Sequence, residues 1–225
     1  MALQDGFTFK NVHGSQAGAA GRPESRMTLR QDSPGDAAMR QRFVADLLRN
    51  RINQAILARW EALQLPDGWL VAGCLFQTVW NLRSGRPPEA DIKDYDLFYF
   101  DGQDLSREAE QQVQARVSAV LGDLGVPIEV VNQARVHLWY EQDFGEPYEA
   151  LHSARDGIQR FLVPCTCVGV RPGGEVYAPY GLQGLYDGLL TPNPLVPHLR
   201  LFAAKAASYQ QRWPWLRIAP QPQPA

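Results

Sequence analysis

The chain holds only three cysteines and four histidines in 225 residues, carries no marked excess of either charge sign, and contains no apolar run long enough to span a bilayer. Each shortage excludes a class of protein. Cys74, Cys165 and Cys167 are too few for a disulfide framework, and no histidine is close in sequence to the Cys165-Thr166-Cys167 pair. In an extended strand the two thiols of that pair point to one face, which allows a two-ligand metal site; small, reduced core residues are the expectation. With 22 Lys and Arg against 24 Asp and Glu, net charge −2, there is none of the basic excess that grips a long nucleic-acid backbone. A small or locally docked substrate is expected instead. Without a spanning run or a secretory apolar core, the sequence predicts a cytoplasmic protein with no membrane partner.

What is present is an ordinary globular balance, 45% apolar and 20% charged, in a length that suits one large domain. Residues 1–32 are rich in Gly, Ala, Ser and charge with no apolar period, and predict a flexible arm. The ordered domain is expected over 33–219, with a Pro/Gln-rich flexible tail at 220–225. It opens on Ser33-Pro34-Gly35-Asp36, a capping sequence. Apolar residues then recur at helical spacing from Met39 to Leu63, which predicts one long amphipathic helix ending near Pro66-Asp67-Gly68.

The rest alternates. Trp69 to Ala72 predicts a strand that turns at Gly73-Cys74 into a helix; Tyr95 to Phe100 predicts a second strand; a helix starts near Ser106 and ends at Gly122 or Gly125. Ile128 to Val131 predicts a third strand, followed by a helix from Ser153, strands in CTCVGVR and EVYAP, and a final helix through LRLFAAKAASYQQRW. This order implies an α/β (α+β) fold with helices flanking a mixed or parallel sheet.

The chemistry is expected at strand ends. Asp94 and Asp96 are two apart, so they share one face of an extended strand, with Cα atoms about 6.6 Å apart. Glu129 starts the next strand in the matching place, and adjacent strands are about 4.8 Å apart. Three clustered carboxylates repel unless a cation joins them, and an all-oxygen set with room for water and phosphate suits Mg2+. Two such ions clamp the attacking and leaving oxygens of an in-line phosphoryl displacement. Gly73, with no Cβ, lets backbone approach a polyphosphate at the N-terminus of the following helix. Taken singly, Asp-x-Asp is more often a solvated strand end, Glu129 a surface charge and Gly73 a plain turn; their order on matching elements favours a site.

The blocks VAGCLFQTVWN, DYDLFYFD, EVVNQARVHLW, VGVR, APYGL and TPNP, spread over about residues 38–216, resemble a bacterial family of nucleotidyltransferase-like proteins. That family is similar in its catalytic core to the superfamily of DNA polymerase beta. The resemblance implies a nucleotidyltransferase core with Gly73 in the phosphate-binding turn and Asp94, Asp96 and Glu129 as catalytic and metal-binding acids. The chain departs from the superfamily in placing Cys74 where glycine or serine is preferred, which removes a hydroxyl contact to phosphate. It also has a longer path from Gly73 to Asp94.

Further candidates carry a structural alternative each. Arg83 and Arg86 can neutralise a triphosphate or be plain surface charges; Lys205 can line the nucleotide pocket, with Tyr180, or merely extend its stem over apolar neighbours. Asn132, Gln133, Arg135 and His137 can orient a base or acceptor, or satisfy buried backbone. Trp139, Trp213 and Trp215 are expected in the core. The expected function is transfer of a nucleoside monophosphate from a nucleoside triphosphate to an unidentified hydroxyl acceptor. The alternative is a nucleotide-binding or regulatory module that has kept the fold and lost turnover. A metal-dependent glycosyltransferase is disfavoured by the glycine turn lying so directly before the acidic strand.

Overall fold

A computed structural model describes residues 34–145, 147–196 and 198–219. The expected arm, its capping Ser33 and the tail lie outside them. The chain begins with α1 (Pro34–Leu47), α2 (Arg51–Ala58) and α3 (Trp60–Leu63), then β1 (Trp69–Val71), α4 (Gly73–Arg83) and β2 (Tyr95–Tyr99). It continues through α5 (Arg107–Leu121), β3 (Ile128–Asn132), the short α6 (Tyr140–Phe144) and α7 (Ala154–Ile158), and the hairpin strands β4 (Gly169–Arg171) and β5 (Glu175–Tyr177). The short α8 (Gln183–Asp187), β6 (Leu189–Leu190), α9 (Leu199–Arg212) and β7 (Arg217–Ile218) complete it.

One five-stranded sheet, in the order β3-β2-β1-β4-β5, organises the molecule. Within this sheet only β2 and β3 run parallel; its other neighbours are antiparallel, so it is mixed as the alternating pattern implied. Alternation along the strands separates two cores. Leu70, Tyr95, Leu97, Tyr99 and Val130 face the larger one, packed by α1, α2, α4 and α5, while Trp69, Val71 and Phe98 face a smaller one with Ala154, Ile158, Phe161 and Cys167. Gly169 in β4 is needed by this second layer. A Cβ there meets Ile158 Cδ1 at 2.8 Å and Trp69 Cε3 at 3.2 Å.

The single long helix expected over 39–63 is three helices. Asn50 breaks it: extended at φ −80°, ψ 110°, it caps α2 by accepting from the Ile52 and Asn53 amides at 3.0 and 3.2 Å. Its Nδ2 donates to Thr78 Oγ1 at 2.9 Å, which ties the break to α4. Apolar periodicity ran through the bend because both arms bury the same face, with Phe43, Leu47, Ile52 and Ile56 all in one core. The expected CTCVGVR strand is corrected likewise. Pro164–Thr166 forms a 3-10 turn, and only Gly169–Arg171 is strand. Cys165 and Cys167 therefore enter different cores rather than sharing a face, and burial pushes the Cys165 thiol up to about 12. All three cysteines are free thiols.

The helix expected after Ser106 is present: Ser106 accepts from the Ala109 amide at 3.1 Å, and Glu108 and Glu110 stand in its first turn, where the N-terminal dipole favours them. Among the described residues no helix is long and apolar enough to cross a membrane.

Candidate active site

The register of the sheet assembles the acids. Val71, Asp96 and Glu129 are partners across β1, β2 and β3, so they form one row on the face of the smaller core. Trp69, Phe98 and Val131 form the next row. Asp94 lies two residues before Asp96, immediately ahead of β2. Asp94 and Asp96 are 5% and 4% exposed, unusual burial for carboxylates and a sign of a partner or a task.

The register also carries the glycine turn to the acids, since Val71, two residues before Gly73, is the partner of Asp96. Burial and, after it, the charge of Asp94 together raise the Glu129 carboxyl to about 7. Burial likewise pushes the Cys74 thiol well above its ordinary range, with the charges of Asp96 and Asp94 adding to the rise. The glycine turn and the acidic strands thus meet at one end of the sheet. Among the described residues no three His, Cys, Asp or Glu side chains form a ready ligating cluster. The donor set itself fits a hard divalent ion: it is all oxygen, with Asp94 and Asp96 buried and Glu129 half-buried, and burial together with the Asp94 charge holds the Glu129 proton up toward neutral pH.

The turn before α4 has a feature that the sequence did not signal. Ala72 adopts φ 61°, ψ −133°, a conformation that normally selects glycine and that stores strain in an L residue. It holds the chain so that α4 starts abruptly at Gly73, with first-turn amides that have no partner within the helix. Cys74 points inward, its Sγ donating to the Val71 carbonyl at 3.2 Å, so only its backbone amide is available to an anion. A recess beside the turn is lined by Ala72, Phe76, Thr166, Tyr209 and Lys205. Lys205 lies with Nζ 5.4 Å from the Tyr209 ring centroid, and it brings a cation from α9 to the recess beside the glycine turn.

Other candidates are placed elsewhere. Arg83 and Arg86 lie ten and thirteen residues beyond Gly73, about 15 Å or more along the helix direction. There Arg83 stacks on Trp215 at 4.5 Å and Arg86 pairs with Asp91, so neither reaches the glycine turn. Arg135 forms an ion pair with Glu110 and donates to the Leu105 carbonyl at 2.8 Å. Asn132 joins the Asp101 and Ala134 backbone. Both serve the structural role. Tyr180 binds Asn193 Oδ1 at 3.0 Å and is 37% exposed. Of the three tryptophans expected in the core, Trp213 is fully buried, whereas Trp139 and Trp215 are only partly covered. Gln133 and Trp139 instead line a second recess on the sheet face that carries the acids.

A solved structure described as the NMR structure of a protein that reveals a CCA-adding enzyme head domain superposes with a TM-score of 0.64 at 24% identity, covering 80% of this chain and 96% of that one. At that identity the likeness carries the fold alone. A search of curated proteins finds no match. The sequence model of the family described as nucleotidyltransferase matches residues 58–218, a span that runs from the end of α2 to β7 and takes in the glycine turn, all three acids and Lys205. The chain therefore belongs to the nucleotidyltransferase family.

Proposed function

We propose that the protein transfers a nucleoside monophosphate from a nucleoside triphosphate to a hydroxyl-bearing acceptor, with Asp94, Asp96 and Glu129 as the metal-binding acids. The observation that carries this reading is the sheet register, which pairs Asp96 with Glu129 on one side and with Val71, two residues before Gly73, on the other. Asp94, Asp96 and Glu129 would hold magnesium, which when bound offsets the charge of the phosphates and of the three carboxylates. The Gly73 and Cys74 amides, at the positive end of α4, receive phosphate oxygens. Lys205 adds a full charge at the recess beside them. Glu129, with a carboxyl poised near neutral pH, accepts the proton of the acceptor hydroxyl as the new P–O bond forms and pyrophosphate leaves.

The test is pyrophosphate release from each of the four common ribonucleoside triphosphates with magnesium, by the wild type and by Asp94→Asn and Asp96→Asn. Release by the wild type that falls about 100-fold or more in folded variants supports the enzyme. Tight triphosphate binding with no release by any form supports the binding module, since Cys74 supplies no side-chain hydroxyl to the phosphates.

A further inference from the structure

Two sequence blocks, APYGL and TPNP, contribute nothing to the acids or to the glycine turn, yet they meet at one residue, Asn193. It is 1% exposed, and its carboxamide is fully used. Nδ2 donates to the Gln159 and Phe161 carbonyls at 2.7 Å each, while Oδ1 accepts from the Tyr180 hydroxyl at 3.0 Å and from the Leu195 amide at 2.9 Å. The Asn193 backbone amide donates to the Leu162 carbonyl at 3.1 Å. One residue therefore takes up the carbonyls of Gln159, Phe161 and Leu162, in a stretch that is neither helix nor strand. Buried backbone outside a regular ladder needs such a partner. Pro192 and Pro194 restrict the chain on either side of Asn193, so the pin is itself stiff.

The pinned stretch lies against the turn before α4. Phe161, Leu162 and Val163 line the recess beside Ala72, and Phe161 and Ala72 belong to the same small core. Ala72 is 4% exposed at φ 61°, ψ −133°, a conformation that an L residue keeps only where its surroundings over-determine it. Its carbonyl is the first acceptor of α4 and takes the Leu75 amide at 3.1 Å. Rotation of Ala72 toward an unstrained φ therefore re-aims the Gly73 and Cys74 amides.

We infer that Asn193 is a positioning residue for the glycine turn: by fixing residues 159–163 against Ala72 it holds the strained backbone that aims the first amides of α4. The inference rests on the proposed function for the phosphates those amides receive, but the hold on the turn needs no ligand. Glycine adopts a positive φ without strain, so Ala72→Gly removes the need for the pin. That dependence separates positioning from a general contribution to folding, which is lost equally in either background.

Two readouts on the isotope-labelled full chain test it. Without ligand, Asn193→Ala is expected to move the Gly73 and Cys74 amide signals in heteronuclear NMR, and the same substitution in an Ala72→Gly background is expected to leave them in place. With magnesium and inorganic tripolyphosphate as the probe, Asn193→Ala is expected to weaken binding about tenfold or more in the native background and less than about twofold in Ala72→Gly. Unmoved Gly73 and Cys74 signals in folded Asn193→Ala, or equal losses of affinity in the two backgrounds, overturn the inference. If Asn193→Ala does not fold, Tyr180→Phe, which removes one partner of Oδ1, is expected to move the same two signals by a smaller amount, and unmoved signals there overturn it. Signals that respond as expected in a chain whose wild type takes up no tripolyphosphate overturn the phosphate reading and leave the positioning role standing.

Discussion

At the level of single residues, Glu129 is the most informative group. Its native carboxyl is raised to about 7 by burial and by Asp94, whereas in the unfolded chain it titrates near the ordinary 4.5. Between those values the native state binds the extra proton, so stability is greatest below about 4.5 and falls as pH rises toward 7. In chelator, Glu129→Gln is expected to flatten this part of the melting-temperature profile; an unchanged slope contradicts the coupling. Lys205 and the two arginines give a second contrast. Lys205→Met is expected to weaken triphosphate binding about tenfold, the loss of one charge-assisted contact, while Arg83→Ala and Arg86→Ala change it less than about twofold in the same titration calorimetry. That Asp96 and Glu129 would share one face of neighbouring strands was legible in the sequence because strand periodicity fixes which residues share a face. The reach of Arg83 and Arg86 was not, because it depends on the length of the intervening helix, and Lys205 is brought to the turn only by tertiary packing.

Among the elements, the break between α1 and α2 shows where local pattern fails. Apolar spacing is continuous through Leu47, Ile52 and Ile56, but the buried Asn50 side chain caps one helix and bonds to Thr78 of another. A lone asparagine in an amphipathic stretch carries no such message until its partners, 28 and 45 residues away, are known. Asn50→Ala is expected to cost about 2 kcal/mol or more in urea denaturation, combining a lost cap with partners left unsatisfied. A cost below about 0.5 kcal/mol shows that the bend is held by apolar packing alone. The turn at Ala72 was likewise legible as a turn, from Gly73, but not as strained, since alanine does not advertise a positive φ.

At the scale of the whole molecule, the C-terminal helix is bound into the layer that builds the glycine turn. Trp80 of α4 meets Tyr209 and Trp213 with ring centroids 5.2 Å from each, and the Trp213 indole donates to Asn81 Oδ1 at 3.0 Å. Trp213→Ala is expected to cost about 3–5 kcal/mol and to lower triphosphate affinity with it, because α9 carries Lys205. The mixed sheet followed from the alternation of elements. Its strand order, which brings β2 beside both β1 and β3, sets Asp96 beside Glu129 and beside the strand that leads into Gly73. Manganese binding followed by electron paramagnetic resonance tests that convergence most directly, on the wild type and on Asp94→Ala, Asp96→Ala and Glu129→Ala. The account predicts that each substitution weakens binding by at least about tenfold; wild-type affinity in all three folded variants contradicts it.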